Sequence, residues 1–255
     1  MWKNIRILAL LLVLAGVAFA AWFDRISTRS WREPLWVGLY PLNADGTQQV
    51  QDYLDGLSVR DFKDIDAFFA REGHRYGLAL DEPVHVELYP QGQALPPGLP
   101  ADAGPLGIAW WSLKLRWFAH RVAVPGRVPP QIRLFVLLHD PGTLERAPDS
   151  HGLQKGLVGV VHAFASRAFT ARNSIVIAHE LLHTVGASDK YEPGSGAPLF
   201  PTGFAAPAQE PRYPQQYAEI MAGRRALSAT QWQMPTSLSQ VVVGPATALE
   251  IGWLH

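Results

Sequence analysis

The 255-residue chain contains no cysteine. That absence removes every disulfide framework and every thiolate metal site, and it leaves imidazole and carboxylate as the strong ligands on offer. It does not fix the compartment, because a domain of this size holds together in an oxidising space without bridges. Net charge is missing too: 22 lysines and arginines balance 22 aspartates and glutamates. No global field therefore draws the chain to nucleic acid or an anionic surface, and no nucleic-acid partner is expected. Internal repeats are absent, and biased composition is confined to two proline-rich loops. The length suits one sizeable domain with its own hydrophobic core.

Long apolar runs are lacking except at the start. There MWKNIRILALLLVLAGVAFAAWFDR places Lys3 and Arg6 before an uncharged stretch from Ile7 to Phe23, with Asp24 and Arg25 after it. Such a run is at the lower limit for a bilayer helix and also suits the core of an export signal, with Ala18-Phe19-Ala20 as a small-residue cleavage site. Residues 1–23 are therefore expected to be a signal peptide or a single N-terminal membrane anchor, 24–34 a tether, and 35–255 the folded domain. The flanking charges do not set the orientation, but a very short tail before the run and a large domain after it favour an extracytoplasmic domain. It would be membrane-anchored or, after cleavage, secreted.

Within the domain, the stretch 35–43 reads as a strand closed by the turn-forming NADG. Val59, Phe62, Ile65, Phe68 and Phe69 recur at helical spacing across 57–78, with Ser58 as N-cap. PVHVELYP alternates like a strand. The segment 106–124 fits both periods, and its length and flanking prolines favour a helix. Residues 131–142 and 156–165 are β-branched, buried-type strands, and a last helix is expected from about Ala246 to Leu254. Between Lys190 and Tyr217, prolines and glycines recur too often for regular structure. This order predicts an α+β fold in which helices pack on a mixed β-sheet.

Candidate chemistry concentrates in SIVIAHELLHTVGASDKYEP, residues 174–193. Histidines four apart on a helix differ by about 40° and one turn, so His179 and His183 can hold one ion together. Ile177, Ala178, Leu181, Leu182 and Val185 occupy another arc that would pack on the sheet. Glu180 lies about 100° round from His179, where a carboxylate can meet a metal-activated water without ligating the metal. A helix continued past His183 would carry Asp189 to the wrong side. Gly186 can end the helix in the left-handed conformation and turn the chain back, so that Asp189 completes a His-His-Asp set. A bare H-E-x-x-H arises by chance in roughly one chain in a hundred, and the added glycine and aspartate cut that by another factor of about a hundred.

The pattern H-E-x-x-H-x-x-G-x-x-D resembles the metzincin zinc metallopeptidases, and most closely the snapalysin-type branch in which aspartate replaces the usual third histidine. The resemblance implies a zincin-like fold with an active-site helix, Zn2+ held by His179, His183 and Asp189, Glu180 as catalytic base, and Gly186 as the turn. Metzincins also have a methionine-containing turn beneath the zinc. AEIMAGR supplies Met221, one of only three methionines in the chain. The tyrosine that some metzincins carry two positions after that methionine is missing here. Tyr191 is the candidate transition-state stabiliser by proximity to the metal. Glu219 is a rival third ligand, because other H-E-x-x-H enzymes use a distant glutamate; failing that, it would orient a ligand from behind or pair with Arg224.

The reading is therefore a zinc-dependent endopeptidase domain over 35–255, with a peptide or protein as its substrate. The membrane is a second partner through residues 1–23 if they stay uncleaved, and nothing in the sequence sets the oligomeric state. GLVGVVHAF is a candidate sheet edge for pairing with an extended peptide, and the loop 190–217 a candidate lower wall of the cleft. Two alternatives stand beside it: a zinc hydrolase of another amide, such as a cell-wall peptide or small molecule, and a non-catalytic zinc-stabilised tethered binding protein.

Overall fold

The segments LWVGLYPLN, IRLFVLLH and VGVVHAF are apolar almost without alternation. Strands of that kind are covered on both faces, as in parallel sheets. The structure, a computed structural model, describes residues 28–254 except 93, 101, 123–127, 155 and 156, together with residues 2, 6, 7, 11 and 16. Strands β1 (Leu35–Asn43), β2 (Val84–Leu88), β3 (Ile132–His139), β4 (His151–Leu153) and β5 (Val158–Phe164) form one mixed sheet. Its order is β2-β1-β3-β5-β4, parallel throughout except for β4, which runs antiparallel to β5.

Helices cover both faces. Alternate β1 residues show the division: Leu35, Val37 and Leu39 enter one core, Tyr40 and Leu42 the other. The first core takes Val50 and Leu54 from α1 (Gln48–Asp55), Ile65, Phe68 and Phe69 from α2 (Lys63–Arg75). The second takes Trp111 and Leu115 from α3 (Pro105–Arg121). Helix α4 (Thr170–Thr184) packs into the first core through Ile177, Ala178, Leu181 and Leu182. Its apolar arc is the one the sequence assigns to the sheet, and the two histidines are left on the remaining arc.

The α+β class and most elements are as the sequence predicts. The helix expected over 57–78 starts as a 3-10 turn (Val59–Phe62), where the Ser58 N–H and hydroxyl both donate to Asp61, at 2.8 and 3.1 Å. Several elements are not foreseen, a short helix and a short strand of the main sheet among them. Helix α1 buries only Val50 and Leu54, too few to set a period, although Thr47 Oγ1 does accept from Val50 N–H as a cap. Strand β4 is three residues long and below any pattern. Its presence corrects the expected sheet edge: the 156–165 strand is flanked by β3 and β4, so β4 is the outer strand on that side.

Strands β6 (Ala218–Glu219), β7 (Arg225–Ala226), β8 (Trp232–Gln233) and β9 (Val241–Val242) make two small ladders, β6 with β9 and β7 with β8. Helix α5 (Pro245–Ile251) follows. Residues 190–217 form no helix or strand, as their prolines predict.

Among the described residues, no helix is long and apolar enough to cross a membrane. The run Ile7–Phe23, with its signal-or-anchor reading, lies outside the described residues apart from Ile7, Leu11 and Gly16. In the segment read as a tether, Thr28 and Trp31 are buried. The Trp31 indole N–H donates to Ile251 O at 2.7 Å and Arg29 Nε donates to Val185 O at 3.1 Å. From Thr28 onward that segment is part of the domain's packing.

Candidate metal centre

The imidazoles of His179 and His183 meet edge to face with Nε2 atoms 3.1 Å apart. Their Nδ1 atoms face carbonyl oxygens, Ile220 O at 3.0 Å and Ala187 O at 2.9 Å. A carbonyl only accepts, so each Nδ1 carries the proton of the neutral ring and each Nε2 presents a lone pair. Asp189 Oδ1 lies 3.2 Å from both Nε2 atoms. Three acceptors thus converge within 3.2 Å of one another, an arrangement that repels itself unless a shared cation, proton or metal, sits among them. Ligands about 2 Å from a tetrahedral ion stand about 3.3 Å apart, so this triangle fits one face of such a site.

Local sequence builds the triangle. Helix α4 ends at Gly186, which has φ +103°. The Gly186 N–H donates to His183 O at 3.1 Å, and the Ala187 N–H to Leu182 O at 3.0 Å. These two bonds are the paired closure of a left-handed helix cap. The same turn delivers Ala187 O to His183 Nδ1 and sends the chain back towards the metal site. Asp189 is then held by its neighbours: Ser188 N–H donates to Glu250 at 2.9 Å, and buried Lys190 Nζ to Glu250 at 2.6 Å. Lys190 N–H also donates to Met221 O at 3.0 Å. A Cβ on Gly186 would collide with the Arg29 guanidinium and the Gln154 amide. Gly186→Ala is therefore expected to cost about 1–3 kcal/mol and to lower metal affinity, read by thermal unfolding and zinc titration. A variant of unchanged stability and affinity would contradict this account of the turn.

Met221 is fully buried in the first core. Its turn, 219–223, closes with Ala222 and Gly223 N–H groups donating to Glu219 O at 3.1 and 2.9 Å. Ile220 O of this turn receives His179. Glu219 is not drawn to the imidazoles. Its carboxylate accepts from Ala222 N, Gly244 N and Thr247 Oγ1, at 2.9, 3.1 and 2.6 Å, and burial pushes its pKa up. The expected pairing with Arg224 is also absent, since that guanidinium donates to Ser195 O at 2.9 Å. Glu219 braces from behind the turn that aims His179.

Glu180 is buried, and its Oε2 has no hydrogen-bond partner among the described residues. Its ligand atom, with those of His179 and His183, falls within a 4.8 Å group. Asp189 is nevertheless the closer third donor, at 3.2 Å from both imidazoles. Burial raises the Glu180 pKa, against the pull of the two histidines. Strand β4 presses on this residue: a Cβ on Gly152 would meet His183 Cβ at 2.6 Å and Glu180 Oε2 at 3.2 Å. The Tyr191 phenol shares the site. Burial and the charges of Asp189 and Glu180 raise its pKa.

Burial alone would lower the pKa of His179, but the Asp189 hydrogen bond, the Glu180 charge and the Ile220 carbonyl raise it to about 9. Asp189, opposed by burial, is held well below the usual carboxylate range by the two imidazoles. In metal-free protein the His179 proton thus contributes stability fully below the unfolded value of about 6.5, and this is lost as pH rises through about 9. A metal must displace that proton. Apparent zinc affinity is expected to rise about tenfold per pH unit between about 6.5 and 9, checked by competition with a calibrated chelator; a flat profile would contradict it.

The sequence reading misses Lys190, Glu250, Ala187, Ile220 and Gly152 as supports. Only Lys190 carries a local signal, a lysine beside a ligand that must be paired if buried. His139 and His162, which lack ligand spacing, bind each other at 2.8 Å, with Asp45 on the far nitrogen of His139 at 2.8 Å. Burial and neighbouring His139 push His162 down to about 4. Comparison with models of known protein families finds no match for this chain, and no curated protein sequence matches it either.

Proposed function

We propose that the chain is a zinc-dependent endopeptidase of zincin-like architecture, exported or membrane-anchored. The observation that carries the reading is the triangle of His179 Nε2, His183 Nε2 and Asp189 Oδ1, 3.1–3.2 Å on each side, beside a buried carboxylate oxygen with no hydrogen-bond partner among the described residues. Two imidazoles and one carboxylate are the donor set of a catalytic zinc site that keeps a fourth position open. When bound, zinc supplies Lewis acidity towards a carbonyl and acidifies water. Every other part is the chain's own. Glu180 accepts the water proton at its carboxylate and returns it to the leaving amine; its raised pKa suits both halves of that task. Tyr191, beside Asp189, is the proposed donor to the developing oxyanion. Ile220 O and Ala187 O fix which nitrogen each histidine presents.

The outer strand β4 lies against α4 at Gly152 and gives an extended peptide a ladder to join within reach of Glu180. That geometry favours a polymeric peptide over a small amide. A purely structural zinc site has no use for a carboxylate with a buried, unpaired oxygen. The test is direct. Zinc-loaded protein is incubated with an unfolded protein substrate and new N-termini are counted by mass spectrometry. Cleavage that stops on chelation and returns with zinc supports the proposal; metal uptake without any cleavage overturns it.

A further inference from the structure

Helix α3 is apolar on two opposite faces. One carries Trp111, Leu115 and Ala119 into the core. The other carries Leu106, Trp110, Leu113 and Trp117, spaced by four, three and four residues, and these are 88, 62, 51 and 65% exposed. At 100° per residue these four fall within an arc of about 60°, a single stripe along the helix. A helix apolar all round is normally buried on every side. Here half of it faces outward, and two tryptophans dominate that half.

Charge borders the stripe. Lys114 and Arg121 flank one side, Arg116 the other, and residues 105–121 contain no acidic residue. The Arg116 Nε is buried without a hydrogen-bond partner among the described residues. The surrounding sequence, 91–133, holds Lys114, Arg116, Arg121, Arg127 and Arg133 against Asp102 alone, although the whole chain is balanced. Pro97 closes a shallow groove with Trp110, Leu113 and Trp117. Exposed tryptophan and leucine between rows of cations is the pattern of a helix lying in a bilayer interface, its rings at headgroup depth and its cations on phosphates.

We infer that the exposed face of α3 docks onto a membrane surface bearing anionic headgroups, a second membrane contact independent of residues 1–23. A protein partner would have to match cations on both borders as well as the stripe, whereas an anionic lipid surface does so everywhere. The inference does not depend on the proposed catalysis.

Because the apolar run at residues 7–23 gives the full chain its own route to lipid, vesicle association alone decides nothing. Depth at α3 does. The chain has no cysteine, so Leu113→Cys and Trp117→Cys each create a unique site for an environment-sensitive nitrobenzoxadiazole probe. Gln48→Cys, on α1 across the sheet, is the control. With full-length protein on phosphatidylcholine–phosphatidylglycerol vesicles, emission at 113 and 117 is expected to rise several-fold, shift to the blue and be quenched by nitroxide-labelled lipid, with no change at 48. Lys114→Gln together with Arg121→Gln should lower the ratio of inserted to exposed probe about thirtyfold, roughly fivefold per charge. The inference is overturned if both α3 probes stay in water on these vesicles. It is equally overturned if they are already in an apolar setting without lipid, which means that another part of the chain or a second copy covers the stripe. Insertion indifferent to lipid charge and to the double substitution overturns the anionic-surface assignment.

Discussion

Glu180→Gln is expected to retain bound zinc and to lose peptide hydrolysis by about 10²–10⁴-fold, the range a positioned general base contributes. The amide keeps the shape of the carboxylate but cannot take up a proton. Zinc content by elemental analysis and turnover on an unfolded protein substrate are the two readouts, and both are needed. Glu180, His179 and His183 bring ligand atoms within 4.8 Å of one another, so a substitution that expels the metal would mean that Glu180 is a ligand. Equal turnover in both proteins would remove it from catalysis altogether. A third readout separates function from folding. Glu180 is buried with an oxygen that has no hydrogen-bond partner among the described residues, a destabilising arrangement, so the metal-free glutamine variant should melt no lower than the parent.

Asp189→Ala is expected to weaken zinc binding about a hundredfold or more. Zinc sites with four ligands are worth roughly 10–16 kcal/mol, which puts one ligand near 3 kcal/mol. The partner experiment is Glu219→Gln, which should leave zinc stoichiometry intact while costing about 1–3 kcal/mol of stability, because three donors lose a charged acceptor. Calorimetric zinc titration and thermal melting of both variants distinguish the two assignments. If Glu219→Gln loses the metal and Asp189→Ala does not, the third ligand has been misidentified.

The candidate metal centre was legible in sequence to the extent that its parts are local. His179 and His183 are related by one helical turn, and Gly186 announces the reversal that returns Asp189, so eleven residues carry the whole triangle. The α+β order was legible for a similar reason, since strands covered on both faces are written as unbroken apolar runs. What sequence could not reveal is what aims the ligands. Ile220 O, Ala187 O and the Glu250 carboxylate act through backbone position or a contact spanning sixty residues, and such groups have no spacing to read. Strand β4 is too short for a pattern, so the outer edge was assigned to its neighbour. Glu219 stood as a rival to Asp189 because a buried glutamate reads the same whether it meets a metal or three hydrogen-bond donors.

The clamp from Lys190 and Ser188 to Glu250 has a temporal side. The candidate ligands are all present by residue 189, yet Asp189 is steadied through a carboxylate about sixty residues further on. His179 likewise waits for residue 220. A chain emerging from synthesis therefore carries the motif long before it carries the geometry, which is in place only once α5 has docked. A chain without α5 would have the motif intact and Asp189 without the Glu250 clamp on its two neighbours.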